Sequence, residues 1–313
     1  MDKGTFDLQK YRDLEHLELY ARQVVEGFIT GLHKSPYHGF SVEFSEHRIY
    51  NPGESTRNID WKLYGRTDRL YTKRYEEETN LRCHMVIDTS GSMFYPVERL
   101  WNAQEPNKVL FSSVSALAIM QLMRKQRDAV GLTLFGRSDV KTDARSTRQH
   151  HKAITVELGK ALMDHDPEVK KEPKVGLAES LHVLAERIPK RSMVLLFSDL
   201  FEMQENEEAV LDALQHLKYN KHEVVLFWTT DHQTELDFSF EERPYRFVDL
   251  ESKTVVKMNP AEVRSYYRQE MERFAHDLKV RCLQYKIDLV EADVRKGYYP
   301  VMEGYIFKRR KLY

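Results

Sequence analysis

The sequence predicts an α/β fold, a doubly wound and mostly parallel sheet preceded by an N-terminal helix and a small β-rich segment. Three observations predict it. From about residue 81 onward, apolar runs of strand length alternate with amphipathic helical stretches. That alternation is the mark of parallel strands covered by helices on both faces. Two of the runs end abruptly in acidic residues, Asp88 and Asp199, and in such sheets ligands bind at the carboxyl ends of strands. The composition, 41% hydrophobic and 31% charged, is that of a chain able to bury a core.

The elements follow in order. Leu14, Leu17, Ala21, Val24, Phe28 and Leu32 recur at helical spacing, and Ser35-Pro36 closes that helix. Residues 39–50 alternate apolar and polar, as a half-buried strand does. Pro52 and Gly53 make a turn. Residues 59–78 are dense in charge and aromatics and are expected to form short strands and loops. Strands are then expected at 81–87, 130–135, 193–197, 223–228 and 287–290. Helices are expected at 107–127, with Asn107 as N-cap, and at 150–163, 177–188, 205–217 and 262–283. Residues 245–250 and 254–257 form a late hairpin. The division is residues 1–80, helix plus β-rich segment, and 81–313, the α/β domain.

Several function classes are disfavoured by composition. With 48 basic and 49 acidic residues, the net charge of -1 supplies no global attraction to nucleic acid or anionic membrane. No apolar run approaches the roughly 18–20 residues of a membrane span. The N-terminus lacks an apolar signal core, so a cytoplasmic protein is expected. Cys83 and Cys282 are too far apart for a C-x-x-C motif and are expected to be reduced and buried. No phosphate-binding loop and no G-x-S-x-G elbow occurs. The adjacent His150-His151 point in different directions, and solvated histidines are expected there and at His165. The basic C-terminal run beginning at Lys308 is expected to be a solvated helix end.

The sharpest motif is MVIDTSGSM. Asp88 ends a strand, and Ser90 and Ser92 follow at alternate positions, with Gly91 allowing a tight turn. Three oxygens on one short loop can converge on a hard cation such as Mg²⁺, or can instead cap the following turn. This D-x-S-x-S pattern resembles the metal-ion-dependent adhesion site of von Willebrand factor type A domains. The resemblance implies that Asp199 supplies a third-loop ligand. It also implies a second-loop Thr, where this chain has Val175, so that Mg²⁺ is held weakly with water filling in, or not at all.

A second resemblance covers the charged aromatic segment. Gly39, Phe44, Arg48, Tyr50, Pro52, Gly53, Glu54, Arg57, Ile59, Asp60 and Trp61 match the signature of the bacterial family called domain of unknown function 58. Arg66, Lys73 and Glu76 to Glu78 continue it, just before the strand that carries Asp88. The resemblance implies a partner of MoxR-type AAA+ ATPases in chaperone-like maturation or assembly, with no established enzymatic activity. The residues themselves allow an internal ion-pair network or a partner surface at Arg48, Arg57, Asp60, Trp61 and Arg66, with Tyr64 and Tyr71 as further aromatic anchors.

The resulting expectation is a non-enzymatic adaptor or co-chaperone with Asp88, Ser90, Ser92 and Asp199 as a candidate metal site. One alternative is a metal-assisted hydrolase using Asp88 and Asp199, against which no nucleophile or general base accompanies the cluster. The other is a nucleic-acid binder working through the basic aromatic stretch 57–74, against which stands the equal number of acids nearby.

Overall fold

A computed structural model describes residues 8–32, 46–50, 61–74, 81–102, 104–163, 175–250 and 252–312. The chain divides into two compact units, one of residues 30–80 and one joining the segment up to Ile29 with Leu81 onward.

In the smaller unit, β1 (Glu46–Ile49) and β2 (Tyr71–Arg74) pair antiparallel, Glu46 opposite Arg74 and Ile49 opposite Tyr71. Between them lies a helix, α2 (Trp61–Thr67), where short strands and loops were expected. Gly65 and the aromatics obscure the helical signal. The Thr67 hydroxyl donates to the Leu63 carbonyl one turn back and Asp68 N to Tyr64 O, which closes the helix.

The larger unit opens with α1 (Leu8–Leu32), which belongs to it as far as Ile29. Its buried stripe is Leu17, Ala21, Val25 and Phe28, so Val25 rather than Val24 turns inward. Phe28 packs on Tyr299 with ring centroids 5.3 Å apart.

The six-stranded sheet is built from β3 (Arg82–Thr89), β4 (Ala129–Gly136), β5 (Val140–Lys141), β6 (Met193–Ser198), β7 (Glu223–Thr230) and β10 (Asp288–Asp293). Their spatial order is β10-β7-β6-β3-β4-β5. All pairings are parallel except β4 with the short β5. Strand order therefore reverses between β3 and β6, the position at which open α/β sheets bind ligands.

The central strands are apolar almost throughout, as strands buried on both faces must be. Val86, Val194, Leu196, Val224 and Leu226 meet one layer formed by α5 (Leu177–Arg187), α7 (Glu207–Tyr219) and α8 (Pro260–Gln284). The alternate residues Met85, Ile87, Leu195, Phe197, Val225 and Phe227 are also fully buried and point the other way. There α3 (Lys108–Lys125) and α9 (Tyr299–Leu312) pack on the sheet, with α4 (Arg148–Met163) against α3. A short α6 (Phe201–Glu205) precedes α7, and Asn206 separates the two where one helix was expected. The hairpin forms as β8 (Tyr245–Val248) and β9 (Val255–Met258).

The first two cations of the C-terminal basic run, Lys308 and Arg309, are buried rather than solvated. Lys308 Nζ bridges Glu223 and Asp288 at 2.6 Å each. Arg309, also buried, pairs with Asp128 and the Tyr305 hydroxyl. These charges clamp α9 onto β7, β10 and the turn before β4. His151 is likewise buried rather than solvated, and the His150 ring nitrogen Nε2 lies 2.8 Å from the Val130 carbonyl. His165 lies outside the described residues. Both cysteines are free and buried, as expected.

Candidate functional site

The reversal of strand order brings Asp88, at the end of β3, beside Asp199, just past the end of β6. Asp88 is 5% exposed. Its Oδ1 accepts from Ser90 N at 2.8 Å and its Oδ2 from the Ser198 hydroxyl at 2.7 Å. The Ser90 and Ser92 hydroxyls lie 3.1 Å apart. Burial pushes the Asp88 carboxyl up to about 7, and the negative charge of Asp199 adds to the shift against the hydrogen bonds from Ser198 and Ser90.

The Asp88 loop is held from the β4 side. The Thr89 hydroxyl donates to the Phe135 carbonyl and accepts from Ser138 N. Gly136 has φ +88°, and a Cβ there would fall 2.6 Å from Ser90 N, so only glycine permits this close approach.

Asp199 is engaged through both of its carboxylate oxygens. Oδ1 accepts from Phe201 N at 3.1 Å and Oδ2 from Lys108 Nζ at 2.8 Å. Its carbonyl accepts from the Trp228 indole. The chain then turns through Leu200, a buried non-glycine residue at φ 59°. The same ammonium of Lys108 also pairs with Glu235 Oε1. Glu235 in turn accepts from Asp231 N, and its carbonyl accepts from the Tyr267 hydroxyl. Burial alone would lower the Lys108 pKa, but the carboxylates of Asp199 and Glu235 outweigh it and hold the ammonium above its ordinary range. Burial raises the Glu235 carboxyl even against the pull of Lys108. Alongside, Arg295 makes a two-pronged pair with the fully buried Asp231, and Arg99 approaches the same carboxylate at 3.6 Å.

The structure thus joins Asp88, Ser90, Ser92 and Asp199, and adds two residues that sequence reasoning missed, Lys108 and Glu235. Glu235 left no local signal. Lys108 left one: a lysine as the first residue of a helix, followed by the apolar run Val109 to Phe111, opposes the helix dipole and calls for a counter-charge. On the second loop, Val175 offers only its carbonyl, which accepts from Gly136 N. The α5 N-terminus beside it is capped by Glu202, whose carboxylate accepts from Leu177 N at 2.6 Å.

The fit to a divalent cation is split. The serine hydroxyls are spaced like two neighbouring ligands of an octahedral ion with bonds of roughly 2.1 Å. The carboxylates are not: Asp199 is already neutralised by an ammonium, and no hydroxyl stands at Val175. The residues as arranged do not fit Mg²⁺. Among the described residues, no group of three or more His, Cys, Asp or Glu side chains is placed to hold a metal ion.

Of the proposed partner surface, Trp61 and Arg66 are exposed on α2, with Trp61 edge-on to Tyr64. Arg48 lies in β1 opposite Thr72. Arg57 and Asp60 lie outside the described residues. Past the carboxyl ends of the strands, Trp101 is 43% exposed in the segment that follows β3, and Phe201, the first residue of α6 after β6, is 51% exposed. Among the described residues no helix is long and apolar enough to cross a membrane.

An open parallel sheet with an acidic crest defines the class of this protein only broadly. Residues 46–277 match the model of the family described as protein of unknown function DUF58, and the chain belongs to that family. Uncharacterized proteins of Mycobacterium bovis and Mycobacterium tuberculosis are 24% identical over 186 residues, covering 59% of this chain and 56% of theirs. The chain thus spans just over half the length of these curated relatives. Among solved structures, conserved hypothetical protein BatB from Bacteroides thetaiotaomicron aligns with a TM-score of 0.36 and 9% identity over 74% of this chain and 99% of its own. An uncharacterized membrane spanning protein from Vibrio fischeri aligns at 0.19 and 15% identity over 74% and 98%. At these scores neither bears on fold or function.

Proposed function

We propose that the larger unit is a von Willebrand factor type A-like domain and that the chain is a cytoplasmic, non-enzymatic adaptor or co-chaperone working with a MoxR-type AAA+ ATPase. One observation carries the reading. At the position where open α/β sheets bind ligands, each carboxylate oxygen of Asp88 and Asp199 accepts a hydrogen bond from a protein donor. Two exposed aromatics, Trp101 and Phe201, lie on the segments that follow β3 and β6. Exposed aromatics together with an internally satisfied site suit protein docking better than chemistry. The smaller unit's Trp61 and Arg66 offer a second contact.

The test is calorimetric titration of the chain with a purified MoxR-type ATPase, with and without chelator. Binding with Kd of about 1–10 μM, unchanged by chelator and weakened about tenfold or more in Trp101→Ala/Phe201→Ala, is expected. No heat at about 100 μM, or full affinity in the double variant, sinks the reading.

The hydrolase reading keeps one observation in its favour: a carboxyl raised to about 7 suits a general base at neutral pH. Turnover of a phosphoester or peptide substrate that is lost in Asp88→Asn would establish it in place of the adaptor.

A further inference from the structure

We infer that Lys108 is the resident cation of the strand-end site, occupying the place a divalent metal would otherwise take, and that removing its ammonium converts the site into one that binds a divalent cation. This concerns the site alone and does not rest on the docking proposal.

Geometry comes first. Asp199 Oδ2 lies 2.8 Å from Nζ, and Glu235 Oε1 pairs with the same ammonium. Two anionic oxygens thus converge on one cation, as two carboxylate ligands do on a hard metal ion. Their elements, the β6–α6 turn and the turn that follows β7, are both anchored from behind. Trp228 donates to the Asp199 carbonyl and Tyr267 to the Glu235 carbonyl. The two acids therefore stay aimed at that point without the lysine.

Charge comes second. Lys108 is fully buried at the first position of α3, where both desolvation and the helix dipole oppose a cation. The carboxylates are what hold it there. The neighbouring crest cations Arg295 and Arg99 are committed to Asp231. Without Lys108 these two carboxylates lose the ammonium they share, and a space the size of a lysine side chain opens to metal and water.

The probe is Mn²⁺ alone, added to the purified full chain. Free-ion paramagnetic resonance reads binding, and the thermal midpoint reads linkage. The wild type should leave the free Mn²⁺ signal intact and its midpoint unmoved. Lys108→Ala should take up one ion with Kd of about 10 μM, its midpoint rising about 5 °C in about 1 mM Mn²⁺. Lys108→Ala/Asp199→Asn should lose both effects. Wild-type uptake as tight as the variant's and abolished by Asp199→Asn overturns the inference, because the metal would then displace or ignore the ammonium. So does a folded Lys108→Ala that takes up none. Should Lys108→Ala not fold, Lys108→Ser keeps both carboxylates and the vacated space and can hydrogen-bond to one of them. Asp199-dependent uptake of Mn²⁺ by that variant supports the inference, and its absence overturns it.

Discussion

Lys108 Nζ lies 2.8 Å from Asp199 Oδ2, and the pair ties the first turn of α3 to the end of β6 across 91 positions of sequence. Neither side chain reaches solvent to any extent. Breaking a buried pair by removing one partner strands the other charge, so Lys108→Met is expected to cost about 3–5 kcal/mol. Urea unfolding followed by far-ultraviolet dichroism measures it. A loss under about 1 kcal/mol would mean that Asp199 and Glu235 find other partners or water.

Asp88 gives a pH dependence of definite sign. Its folded pKa of about 7 stands above the ordinary 3.8. Between those values the native carboxyl keeps a proton that the unfolded chain has released, so its contribution to stability falls as pH rises through that window. Asp88→Asn removes this dependence. The stability of the variant relative to wild type should therefore climb from about pH 4 to about pH 7 and then level off. A flat difference in unfolding free energy across that range would show a carboxyl of ordinary acidity.

Gly136 controls how closely the end of β4 approaches the Asp88 loop. At φ +88°, with Ser90 N at 2.6 Å from a would-be Cβ, Gly136→Ala must shift backbone. The expected cost is about 1–3 kcal/mol. Hydrogen exchange at Ser90 and Ser92 should quicken beyond what the global loss explains. Unchanged exchange would place the adjustment elsewhere.

His84 in β3 is buried, and burial holds its pKa down at about 4. Its ordinary value is 6.5, so the unfolded chain binds the proton first as pH falls, and stability drops from about pH 6.5 to about pH 4. Replacing it by Gln should flatten that part of the acid unfolding profile. A profile as steep as before would assign the acid sensitivity to His151 and His222, which burial also lowers.

Two ion pairs of opposite character allow a comparison within the chain. Arg309 and Asp128 are buried together near the C-terminus, whereas Lys279 and Glu291 are about half exposed. Arg309→Ala is expected to cost about 3–5 kcal/mol and Lys279→Ala at most about 1 kcal/mol. Equal losses in thermal or urea unfolding would contradict the burial argument.

Much of this architecture is local in origin. An apolar run such as Met193–Ser198 has no stable place but a covered strand, and Asn107 announces a helix start because its side chain can accept from Leu110 N three residues on. Asp88 and Asp199 could be read as strand-end acids for the same reason: a carboxylate that stops an apolar run must lie where the sheet stops. Their partners could not be read so. Lys108 meets Glu235 across 127 positions and Arg309 meets Asp128 across 181. A charge in a sequence shows its sign and not its counter-ion. Which opposite charge it meets depends on strand order, on helix crossing and on how much water is expelled. The helix at Trp61–Thr67 and the buried C-terminal basic pair escaped the local pattern for related reasons. Gly65 weakens the helical periodicity of the first, and the basic composition of the second resembles that of a solvated tail. The strands, most helices and the site's two aspartates followed from local periodicity and polarity. The cation that occupies the site followed from the fold, because only packing could bring a lysine and two distant acids to a common, dry point.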